Sequence, residues 1–182
     1  SPDGRIIASG SNDFCVKIWD AVTGSEIDTL KGHEGSVLSI SFSPDGTRIA
    51  SGSSDSTIKI WDTVTGSEIT SLQGHEGRVY SVSFNLDGTR LVSASEDNTI
   101  KVWDSVTGSE ITNLTERKRR VSSASFSPDS TRIVSASGQT IKIWDAVSGS
   151  ELTTLMGHAG GVTDAAFSPD GTRIASGSED VS

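Results

Sequence analysis

Serine, histidine and aspartate recur at fixed intervals along this chain, and together they are the groups of an acyl-transfer nucleophile: a hydroxyl, an imidazole base and a carboxylate to orient it. His33, Ser51, Asp55 and Trp61 return in the same order as His75, Ser93, Asp97 and Trp103. A catalytic constellation is assembled once, in one cleft, whereas these sets repeat along the chain. Repetition of this kind marks architecture, so no catalytic residue is assigned and the chain is read as a non-enzyme. The three histidines hold the same place in their copies, and none has a histidine, cysteine or carboxylate at ligand spacing, so no metal site is expected. No G-x-x-x-x-G-K-S/T loop or G-x-G-x-x-G turn occurs, and no cofactor is expected. Cys15 stands where other copies carry Thr57, Thr99 and Thr140, which makes it a packed strand residue rather than a reactive thiol.

The elements that position these groups are set by a repeat. Trp19, Trp61, Trp103 and Trp144 are spaced by 42, 42 and 41 residues, and residues 43–84 match residues 85–126 at about 60% of positions. Within one copy the order is Gly32-His33, the run Val37 to Phe42, the turn Ser43-Pro44-Asp45-Gly46, the run Arg48 to Ser53, Asp55, the run Thr57 to Asp62, the turn Thr65-Gly66 and the run Glu68 to Leu72. Each run is about six residues long, rich in β-branched residues and alternating at period two. This pattern predicts four short strands per copy and an all-β chain. No stretch carries an apolar face at helical spacing.

Gly32-His33, Gly74-His75 and Gly157-His158, with Trp-Asp pairs such as Trp61-Asp62 and Trp103-Asp104 closing each copy, resemble the WD-repeat β-propellers. The resemblance covers the whole chain. It implies four-stranded antiparallel blades, with a partial blade at 1–30, blades at 31–72 and 73–114, a divergent blade at 115–155 and a partial blade at 156–182. About 4.3 repeats are present, with the second strand represented twice, so the expectation is a fragment of a longer array or a ring completed by a second chain as a homo-oligomer. The resemblance also implies that His33, Ser51, Asp55 and Trp61, and likewise His75, Ser93, Asp97 and Trp103, form a buried hydrogen-bonded chain. That role suits their chemistry: the indole N–H can only donate, serine donates and accepts, imidazole bridges through two nitrogens, and aspartate sets the tautomer.

Copies that share a template are most informative where they differ on exposed loops. The third full copy reads Leu114-Thr115-Glu116-Arg117-Lys118-Arg119-Arg120-Val121, with Glu116 and Arg117 replacing Gly-His, and its turn Ser137-Gly138-Gln139-Thr140 is one residue short and lacks the aspartate. The two losses are coherent, because either hydrogen-bond partner gains little without the other. The resemblance places the loops entering each blade and the turns after each second strand on one face. That face would present Glu34, Ser36 and Ser54, then Glu76, Arg78 and Glu96, then Arg117, Lys118, Arg119, Arg120 and Gly138, then Ala159, Gly161 and Glu179. Two acidic sectors beside a basic one suit a protein or peptide partner.

A net charge of −9 argues against a general nucleic-acid binder, which needs a clustered basic face. The single cysteine excludes an internal disulfide and points to a reducing compartment, so a cytoplasmic location is expected. The chain opens on Ser1-Pro2-Asp3-Gly4, which reads as a turn, so secretion is not expected, and with no apolar run of about 20 residues no membrane insertion is expected. The leading expectation is a non-enzymatic scaffold or adaptor that binds proteins through one propeller face. Two alternatives stand beside it: the sensor or autoinhibitory repeat tail of a larger NACHT-type signalling NTPase, and an anion or nucleic-acid binder acting through Arg117 to Arg120.

Overall fold

Short β-branched runs separated by Pro-Asp-Gly and Thr-Gly turns can bury their apolar side chains only by pairing as hairpins and stacking sheet on sheet. A computed structural model describes residues 1–116 and 119–180. Among these residues the strands form five antiparallel sheets, each a row of hairpins in chain order. The first sheet holds β1 (Ile6–Gly10), β2 (Val16–Asp20) and β3 (Glu26–Leu30). The second holds β4 (Val37–Phe42), β5 (Arg48–Ser53), β6 (Ile58–Asp62) and β7 (Glu68–Leu72), and the third β8 (Val79–Phe84), β9 (Arg90–Ser95), β10 (Thr99–Asp104) and β11 (Glu110–Thr115). The fourth holds β12 (Val121–Phe126), β13 (Arg132–Ser137), β14 (Thr140–Asp145) and β15 (Glu151–Met156), and the fifth β16 (Val162–Phe167) and β17 (Ile174–Ser178). The all-β architecture of four-stranded blades expected from the sequence is the one observed. No strand pairing joins the first sheet to the fifth among the described residues. No helix of these residues is long and apolar enough to cross a membrane.

The turns are held by their own side chains. In Ser43-Pro44-Asp45-Gly46, Gly46 adopts φ +73° and donates its N–H to the Ser43 carbonyl at 2.8 Å, while Asp45 Oδ1 accepts the Thr47 N–H at 3.0 Å. In the other turn Asp62 Oδ1 accepts the N–H groups of Val64 and Thr65. These are Asx-type contacts, the reason aspartate recurs at each turn.

The core is divided among the junctions between sheets. Between the second and third sheets Ile58, Ile60, Leu72, Val79, Val82, Phe84 and Leu91 pack with the indole of Trp103. Equivalent clusters lie between the first and second sheets, the third and fourth, and the fourth and fifth. Middle sheets are covered on both faces, so β9 and β13 are buried from their second residue onward. Close approach there favours small side chains: a Cβ on Gly52 would lie 2.8 Å from Val79 Cγ1.

Two polar devices also tie neighbouring sheets together. Ser39 and Ser41 accept the N–H groups of Val82 and Phe84 from the next sheet's first strand. Arg48 reaches across to donate to the carbonyls of Gly88 at 2.7 Å and Ser105 at 3.1 Å, its guanidinium 5.4 Å from the Phe84 ring centre. Arg132 repeats the reach to Gly171 and Phe167.

Candidate functional site

The loop into the second sheet delivers His33 beside the turn that carries Asp55, and the hairpin of β5 and β6 brings Ser51 under Trp61. Trp61 Nε1 donates to Ser51 Oγ at 2.8 Å, Ser51 Oγ lies 2.7 Å from His33 Nε2, and His33 Nδ1 lies 2.8 Å from Asp55 Oδ2. The third sheet repeats this set with the same three distances through Trp103, Ser93, His75 and Asp97. Asp55 further accepts the Glu34 N–H and the Thr57 hydroxyl and N–H, which pins the entering loop to the turn.

The electrostatics assign the protons. Burial lowers the His33 and His75 pKa values from 6.5, and the facing aspartates oppose that only in part, so both rings are neutral at neutral pH. Burial tends to raise Asp55, but the hydrogen bonds from Thr57, Glu34 and His33 outweigh it and hold the carboxyl at about 2. Asp97 is held at about 2 by the corresponding balance. The aspartate therefore accepts from Nδ1–H, Nε2 accepts from the serine, and the serine accepts from the indole. The chain of donors runs in one direction from tryptophan to carboxylate.

Distances alone would fit a nucleophile, its base and an orienting acid. Access does not, because Ser51 and Ser93 are 0% exposed and their oxygens already accept an indole N–H. These sets can hold loops to strands, but no substrate carbonyl can reach their hydroxyls. His158 makes the same two contacts on the fifth sheet, 2.9 Å to Asp180 and 2.8 Å to Ser176, where Ser176 is exposed.

The fourth sheet keeps only part of the pattern. Trp144 Nε1 still donates to Ser135 Oγ at 2.9 Å. Glu116 is buried, donates its N–H to the Asn98 carbonyl and places Oε2 3.2 Å from Lys142 Nζ, which also meets Glu151 at 2.9 Å. Burial works against the charged Lys142, yet the two glutamates outweigh it and raise its pKa. Arg117 and Lys118 lie outside the described residues.

On the exposed end, Ser54 N–H donates to the Ser36 carbonyl, Glu34 and Glu76 project to solvent, and Arg78 Nε lies 3.7 Å from Glu96 Oε2. Glu96, Arg119 and Arg120 come together with Tyr80, Gly138 and Glu179 around a cleft of about 700 Å³. Glu34 lines a smaller recess of about 220 Å³ on the second sheet with Asp55 and Lys59, and Ser36, Ser54, Glu76 and Arg78 line neither.

Sequence reasoning missed the lysine–glutamate pair that spans the third and fourth strands of the second, third and fourth sheets, as in Lys59–Glu68 at 2.8 Å, and the last two strands of the first sheet as Lys17–Glu26. Lysine two residues before each tryptophan was the available signal. It also missed the Arg48 and Arg132 clamps, whose only mark was the Thr-Arg that follows the Asp-Gly or Asp-Ser turn in every copy but the first.

A series of four-stranded antiparallel sheets, each pinned by an indole–serine contact and most by a histidine–aspartate pair, defines a propeller-type repeat protein. The family model for the WD domain, G-beta repeat, matches residues 1–20, 24–62, 66–104, 108–145 and 149–180, and the chain belongs to this family. Among curated proteins it is similar to protein tipD of Dictyostelium discoideum, 45% identical over 40 residues, which is 22% of this chain and 6% of that protein. It is 49% identical over 43 residues to the periodic tryptophan protein 2 homolog of Neurospora crassa, covering 23% of this chain and 5% of that protein. It is 52% identical over 40 residues to human WD repeat and HMG-box DNA-binding protein 1, covering 22% of this chain and 4% of that protein. Each match is about one repeat long, a small part of a much longer relative.

Proposed function

We propose that the chain is a non-enzymatic scaffold that offers one end of its sheets to protein partners. The carrying observation is a division of labour between polar groups. The buried serines and histidines and the partly buried aspartates of the second and third sheets are consumed by one another, while Glu34, Glu76, Arg78, Glu96, Arg119 and Arg120 stand exposed on the loops of the second, third and fourth sheets. Rigid loops present side chains without an ordering penalty at binding, and mixed charges favour specificity over general adhesion. Membership of the WD-repeat family supports the scaffold reading. A cytoplasmic location belongs to the same proposal, supported by the free, half-buried Cys15.

The test is affinity capture from a cell lysate with the chain and two variants. Glu34→Arg combined with Glu76→Arg is expected to lose partners that the chain retains. Val64→Ser combined with Val106→Ser, at the turns on the opposite end, is expected to keep them. Equal capture by both variants, or covalent labelling of Ser176 by a fluorophosphonate, would overturn the proposal.

A further inference from the structure

The third and fourth sheets place arginine at the same loop position, Arg78 and Arg120, yet the two side chains have different fates. Arg78 is neutralised by Glu96 from the turn of its own sheet. In the fourth sheet the shortened turn puts Gly138 where that glutamate would stand. Arg120 has no carboxylate partner among the described residues, and its guanidinium lies 5.5 Å from the ring centre of Tyr80 on the neighbouring sheet. A second exchange accompanies the first. In the second, third and fifth sheets a loop glycine packs against the turn: a Cβ on Gly35, Gly77 or Gly160 would lie 2.5 to 2.9 Å from turn atoms. In the fourth sheet the loop residue is Arg119 and the turn residue is the glycine, where a Cβ would lie 2.4 Å from Arg119 Cδ. The swap makes room for a second cation that has no ion pair among the described residues, and both arginines border the cleft of about 700 Å³.

Two guanidiniums without an ion pair among the described residues line this cleft, one of them 5.5 Å from an aromatic ring centre, and such a pair suits a planar anion. Glu179, on the turn of the fifth sheet, and Glu96, on the turn of the third and already facing Arg78, also line the cleft. Carboxylates there repel a polyanion but favour cations on either side of a single negative charge. We infer that this cleft binds an extended peptide segment of a partner protein through one aspartate or glutamate side chain, with basic residues beside it. The inference rests on the docking role proposed above and assigns that role a site and a ligand chemistry.

The test presents the chain with immobilised peptide pools in which one central residue is fixed and the flanks are degenerate. Pools centred on glutamate or aspartate should be retained, and those centred on glutamine or asparagine should not. Arg119→Ser and Arg120→Ser should each weaken retention by about tenfold, Arg120→Lys should weaken it less, and Glu179→Gln should relax the preference for lysine or arginine beside the acid. All three positions are exposed, and an unchanged melting midpoint separates lost binding from lost folding. Equal retention of glutamate and glutamine pools, or retention of no pool, overturns the inference. Displacement of the peptides by single-stranded DNA with a steep salt dependence also overturns it and assigns the cleft to a phosphate polymer. Retention that survives both arginine substitutions but is lost in the Glu34→Arg, Glu76→Arg variant overturns the cleft and leaves the docking face standing. Capture of no partner by the unsubstituted chain in the lysate experiment removes both.

Discussion

Ser51 Oγ is the junction of the second sheet's polar chain, since it accepts from Trp61 and donates to His33. Ser51→Ala leaves two buried groups unmatched, and a loss of about 3 kcal/mol is expected from the urea midpoint. Ser135→Ala on the fourth sheet strands only the Trp144 N–H, and about half that loss is expected. Equal losses would show that the imidazole contact contributes nothing. Proton linkage gives a second prediction. The folded His33 and His75 titrate below the ordinary 6.5, so below that pH the unfolded chain binds protons that the folded chain refuses. Their contribution is complete above 6.5 and shrinks as the pH falls through the interval down to the folded values. Asp55 and Asp97, held at about 2 against 3.8, add a contribution present above 3.8 and lost as the pH approaches 2. The urea midpoint should therefore fall in two acid steps; a midpoint that does not change between about pH 7 and about pH 3 would contradict the assigned proton pattern.

At the scale of strands and turns, β-branched alternation and Asx turns are local signals, and every strand inferred from them is present. The spacing between sheets is less visible in the chain. Gly52 reads as an ordinary small strand residue, but its missing Cβ is what lets β5 approach Val79 and Val82 on β8. Both neighbours are stiff at χ1 and cannot turn aside. Gly52→Val is expected to destabilise the chain by about 1–3 kcal/mol through overpacking, measured by chemical denaturation. Gly52→Ala adds the same Cβ within 2.8 Å of Val79 Cγ1, so it should already carry part of that loss. The divergent loop shows the complementary limit. Glu116 looked like a lost glycine, whereas it is a buried side chain facing Lys142, a contact set by the path of the loop over the sheet rather than by any local spacing.

The molecule as a whole is stabilised junction by junction. Each apolar cluster belongs to two adjacent sheets, so stability is a sum of sheet and neighbour contributions rather than a property of one core. The second, third and fourth sheets pack on both faces, while the first and fifth pack on one. Amide hydrogen exchange should therefore be slowest in β8, β9 and β10 and fastest in β1 and β17, with intermediate protection between them. Uniform protection across all five sheets would contradict the junction-by-junction account. The same geometry explains the cleft: three successive sheets must stand side by side before Tyr80, Arg120 and Glu179 can face one space.

The sequence by itself determined the strand count of each copy, the turns, the all-β class and the coupled loss of histidine and aspartate in the divergent copy. These are properties of short stretches, and repetition multiplies a weak local signal until it is unambiguous. Only the tertiary structure decided that Ser51 and Ser93 are sealed from substrate, that Arg78 is paired while Arg120 has no carboxylate partner among the described residues, and that Arg119 lies over Gly138. Those outcomes depend on how loops some twenty to forty residues apart pass one another on adjoining twisted sheets, and no pattern along a single strand carries that distance.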